Sequence, residues 1–143
     1  MMLTKSAEWM LPFIEAVKPL VPKIRYLNSI EFKKPKLNTI KPSHGTTLYD
    51  KWSQRYEIVI YSHYSKILKR KPMKLTYVEY SLIESLECLA HELAHLRHFN
   101  HTPAHKILEC KIKTRFMQML KKLKYKSDEA HNFKFYLPPH LQP

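Results

Sequence analysis

A single glycine, Gly45, serves a chain of 143 residues that contains ten prolines. Phosphate-cradling loops of the GxGxxG or GxxxxGK[ST] type need several glycines, so nucleotide folds built on them are excluded. The lone glycine is expected in a positive-φ turn, inside a loop that Pro35 and Pro42 mark over 35–48. Cysteine is equally scarce. Cys88 and Cys110 cannot build a disulfide scaffold, and two packed, reduced thiols in an intracellular protein are the expectation. No run of about 18 apolar residues exists, so no membrane partner is expected. Residues 7–22 carry Glu8 and Glu15 and lack the basic–apolar–cleavage order of a signal peptide. Acid is the last shortage: 12 Asp plus Glu stand against 25 Lys plus Arg, a net charge of +13. Such an excess makes polyanions the first long-range partner to consider, and the expected location is cytoplasmic or DNA-associated.

What is present suffices for one domain over 1–143, since 44% of the residues are hydrophobic and 26% charged. In the N-terminal segment 1–22, Trp9, Phe13, Ile14, Val17 and Leu20 recur at helical spacing and predict an amphipathic helix over 4–20. Residues 23–34 and 54–62 are rich in β-branched and aromatic residues and predict strands, followed by a basic turn at 69–72. Thr76 and Glu79 fit a capping box that starts a long helix running to about 98, with Asn100 as a left-handed stop. Thr102-Pro103 opens a second helix to about 124, its buried face made by Leu108, Ile112, Phe116, Met119, Leu120 and Leu123. Residues 125–143 read as an extended tail, which either packs on the body as an ordered terminus or, through Asn132 to Pro138, lies across a cleft as a pseudo-substrate. The sum is an α+β fold: an N-terminal helix, a small sheet of two to four strands, a helix packed on it, and a C-terminal helix.

Inside the long helix, residues 91–95 read His-Glu-Leu-Ala-His, the HExxH pattern. Positions four apart share a helix face, so His91 and His95 can offer two imidazoles to one ion, and Glu92 can act as general base on a water held there. A catalytic zinc site needs a third protein ligand. His98 is a poor one, because it lies about 10 Å further along the axis than His91. His101, after the turn, is the expected third ligand, with His105 as alternate ligand or pocket residue. Tyr49, Tyr61 and His105 are candidates for stabilising an oxyanion, and the 54–62 strand for holding an extended peptide.

Taken together, Ile58-Val-Ile-Tyr-Ser, the run Leu82 to His98 and Asn100-His-Thr-Pro-Ala-His resemble the SprT-like and YgjP-like zinc metallopeptidases over about residues 54–120. The resemblance implies a small zincin-type domain, zinc on His91, His95 and His101, Glu92 as catalytic base, and a protein or peptide substrate. His105 departs from the family's usual aromatic at that place. The spacing from His91 to His101 also equals that of metzincins, but His98 stands where their turn needs glycine. Some SprT-like enzymes act on DNA-crosslinked proteins, and the basic clusters 66–74 and 106–126 are candidates for DNA contact. Two other readings compete: a nucleic-acid-binding module with a structural histidine cluster, and a catalytically silent metal-binding scaffold.

Overall fold

Alternating apolar residues drive the sheet. Leu27, Ile30, Phe32, Ile58 and Ile60 all point to one buried face, and the helices cover that face. The computed structural model describes residues 1–35 and 44–125. Its four-stranded sheet contains β1 (Met2–Leu3), β2 (Leu27–Lys33), β3 (Gly45–Asp50) and β4 (Arg55–Tyr61), in the order β1-β2-β4-β3. Strands β1, β2 and β4 run parallel, and β3 is antiparallel to β4. A separate hairpin pairs β5 (His63–Arg70) with β6 (Met73–Glu79). Helices α1 (Leu11–Val17), α2 (Leu82–His95) and α3 (Pro103–Tyr125) complete a mixed α+β domain. Edge-on aromatic pairs tie the layers together: Trp9 meets Phe32 at 5.6 Å, and Phe13 meets Phe116 at 5.8 Å.

Several expectations are corrected. The N-terminal helix is split into a 3-10 segment, Lys5–Met10, and α1, which opens with Pro12 in its first turn. Residues 22–26 form a 3-10 turn before β2 begins. The long helix starts at Ser81, not Thr76. Ser81 and Glu84 exchange the reciprocal capping-box bonds, while Thr76 to Glu79 belong to β6, where Tyr77 and Val78 suit a strand paired to β5. The same helix ends at His95, and Asn100 is not left-handed, since Gln54 alone has positive φ among the described non-glycine residues. Cys88 is buried as expected, but Cys110 is exposed. The C-terminal tail and its pseudo-substrate segment lie outside the described residues.

Gly45 is not in a turn either. It stands in β3 with no positive φ. A Cβ there would lie 2.6 Å from the Val59 backbone oxygen and 3.1 Å from Cys88 Sγ on α2. The glycine therefore lets α2 approach the sheet closely, which brings β3 beside the histidine-bearing turn.

Strand 54–62 lies in the sheet interior as β4, so β3 takes the edge beside α2 among the described strands. Tyr61 N–H donates to the His44 carbonyl, which fixes the alternation of the ladder. Gly45, Thr47 and Tyr49 consequently turn their N–H and C=O groups away from β4, toward the side that carries no strand among the described residues. Among the described residues no helix is long and apolar enough to cross a membrane.

Candidate metal centre

The last turn of α2 and the connection to α3 bring three imidazoles together. His91 Nε2 lies 3.1 Å from His95 Nε2 and 3.1 Å from His101 Nε2. His91 and His95 come from one helix face. His101 folds back because the chain leaves the helix after His95, and Thr102 Oγ1 restarts it by accepting His105 N–H.

The tautomers matter more than the distances. His91 Nδ1 donates to Glu109 Oε1 at 2.5 Å, and His95 Nδ1 donates to the His98 carbonyl at 3.3 Å. With both Nδ1 atoms spent as donors, the neutral forms of the His91 and His95 rings carry their lone pairs on Nε2, and those lone pairs face each other. Two lone pairs at that separation repel unless a cation sits between them. Nitrogens about 2.1 Å from one tetrahedral ion would lie about 3.4 Å apart, close to the spacing observed. The donor set therefore fits a divalent metal. Burial pushes the His95 imidazole below its ordinary pKa, which keeps it neutral and ready to ligate.

Two groups are positioned to bind a metal ion: His91, His95 and His101, and a second formed by His91, His105 and Glu109. In the second, His105 Nε2 already donates to the His91 carbonyl at 3.1 Å, and Glu109 already holds His91 Nδ1. His105 is buried behind the rings of His91 and His95, at centroid distances of 4.7 and 4.3 Å.

Glu92 is buried, and Thr47 from β3 reaches it. Thr47 Oγ1 lies 2.5 Å from Glu92 Oε2 and 3.2 Å from the Glu92 backbone oxygen, so its single proton serves the nearer carboxylate. A cleft of about 680 Å³ opens over this group, walled by β3 residues 45–47 on one side and by α2 and Glu109 on the other. Glu84 and Glu87 add carboxylates to its lining, beside the Lys113 ammonium. Phe99, exposed, supplies an apolar rim 6.2 Å from the His95 ring.

Of the oxyanion candidates, none lines this cleft. Tyr61 alternates with the buried Ile60 and so faces away from α2, Tyr49 leans on Tyr56, and His105 sits behind the site. Sequence reasoning missed Thr47 and Glu109. Nothing marks Thr47 in the sequence, but Glu109 left a trace: it is the one acid on a lysine-rich helix, next to the apolar positions Leu108 and Ile112. Comparison with known proteins returns no matching family model, no matching curated protein and no matching solved structure.

Proposed function

We propose that this chain is a zinc-dependent metallopeptidase of the SprT-like, zincin kind, with His91, His95 and His101 as ligands through Nε2 and Glu92 as catalytic base. The observation that carries the reading is the convergence of imidazole nitrogens whose tautomers leave lone pairs on the shared side, with a buried carboxylate on the next residue. A purely structural site needs no base beside it. Zinc, when bound, supplies a Lewis acid that lowers the pKa of a water to near 7 and polarises a carbonyl. Glu92 takes the proton from the attacking water and delivers it to the leaving amine. Thr47 engages Oε2, which holds the carboxylate in place and leaves its second oxygen for proton transfer. The peptide lies extended along β3, bonded to the outward groups of Gly45, Thr47 and Tyr49. This role belongs to β3 rather than to 54–62, because β4 is flanked on both sides.

The test is proteolysis of a denatured, lysine-rich protein, a substrate that suits the carboxylates in the lining of the cleft. Zinc-loaded protein is expected to cleave it, chelation to stop cleavage, and added zinc to restore it. Zinc-loaded protein that leaves the substrate intact would remove the reading.

DNA enters the same proposal through the β5–β6 hairpin. Lys66, Lys69, Lys71 and Lys74 are exposed there, and Lys69 stands directly opposite Lys74. Like charges facing each other across a hairpin oppose folding, and a phosphate backbone relieves the repulsion. Retention on duplex DNA at low salt, falling steeply as salt rises, is the expected outcome. Failure to bind at low salt would detach DNA from the proposal.

A further inference from the structure

His91 is held by α3 at two points. Its ring donates Nδ1–H to Glu109 Oε1 at 2.5 Å, and its backbone carbonyl accepts from His105 Nε2 at 3.1 Å. The second oxygen of Glu109, Oε2, takes the Lys113 ammonium at 3.0 Å, one turn further along α3. Both carboxylate oxygens are thus engaged, and Glu109 is buried. Among the described residues His95 is backed differently: its Nδ1 meets a neutral carbonyl, at 3.3 Å.

We propose that Glu109, braced by Lys113, is a positioning residue that fixes the ring angle and tautomer of His91 and thereby sets the affinity of the metal centre. The assignment rests on the zinc reading above. A charged acceptor on Nδ1 holds that proton in place, so Nε2 keeps its lone pair toward the ion, and it raises the basicity of the ligand nitrogen. Lys113 fixes the carboxylate from the opposite side, so that its near oxygen cannot swing away from the ring. Helix α3 therefore follows the ligand His101 in the chain yet governs a ligand on α2. His91 and His95, equivalent in the HExxH pattern, become unequal: one is backed by a buried carboxylate, the other by a peptide carbonyl.

The experiment is a zinc titration against a competing chromophoric chelator, run on the full chain and on Glu109→Gln and Lys113→Met. Circular dichroism checks each fold, and long-range nitrogen–proton NMR reads the His91 tautomer. Wild type is expected to bind zinc with the His91 Nδ1 proton in place and shifted downfield. Glu109→Gln is expected to bind 10–100-fold more weakly and to move that signal, as measured losses of such outer partners suggest, on the order of one to two decades. Lys113→Met is expected to show a smaller loss in the same direction. Should Glu109→Gln fail to fold, Lys113→Met carries the decision. Affinity and His91 signal both unchanged in the folded variants would overturn the assignment while leaving the zinc site standing. No zinc binding by the wild type would overturn the zinc site itself.

Discussion

Glu92→Gln is expected to lower peptide-bond turnover by about 10²–10⁴-fold while zinc affinity stays at the wild-type value. Glutamine keeps the volume of the side chain, and its amide oxygen can still accept the Thr47 hydroxyl that now binds Oε2. What it cannot do is take a proton from water. The substitution therefore separates the two roles open to a buried carboxylate at this position. If Glu92 were only a packing residue tied to β3, the glutamine would serve as well, and turnover would survive. The measurement is kcat/KM on a quenched fluorescent peptide, set beside chelator competition for zinc. A variant that retains zinc and still cleaves at the wild-type rate excludes Glu92 from the chemistry.

The second large effect concerns stability. A ligand that binds only the folded state stabilises it by mass action, by about 4 kcal/mol at a free concentration a thousandfold above Kd. Zinc is expected to raise the urea midpoint of the wild type accordingly, and His95→Ala or His101→Ala to lose most of that increment. His98→Ala is the control, because it removes an imidazole from the same neighbourhood that belongs to neither metal-binding group. Comparing each variant with and without zinc matters most for His95. It is buried, and its loss also weakens the metal-free protein. An equal zinc increment in His101→Ala would remove that residue from the ligand set.

How far the sequence reached can be read residue by residue. His91, His95 and His101 could be grouped from the sequence because helical spacing and the turn before Thr102-Pro103 are local properties, and the structure brings their rings together, with Glu92 lining the same cleft. Of the face read as buried on α3, Leu108, Ile112, Phe116 and Leu120 are buried, while Met119 and Leu123 are only partly so. The start of α2 was not. Thr76 to Glu79 and Ser81 to Glu84 offer the same cap pattern five residues apart, and only pairing with β5, a non-local contact, decides between them. Gly45 was placed by the commonest use of glycine, a turn, whereas the fold uses it where another element comes close. Thr47 and Glu109 reach the site from β3 and α3, 45 and 18 residues away from their partners. No periodicity encodes such an encounter.

The side of β3 that carries no strand among the described residues has a consequence for association. Amide and carbonyl groups turned away from β4 can accept an extended chain, including the same strand of a neighbouring molecule. Leu48 is exposed on β3 and adds a sticky surface to that row. Shortening the strand would blunt the hazard and also remove the bed proposed above for a peptide. Protection must then come from elsewhere, and a surplus of thirteen positive charges provides it by mutual repulsion between copies. Colloidal behaviour and the proposed peptide capture are in this way bound together: ionic strength high enough to screen the lysines also lets molecules meet edge to edge.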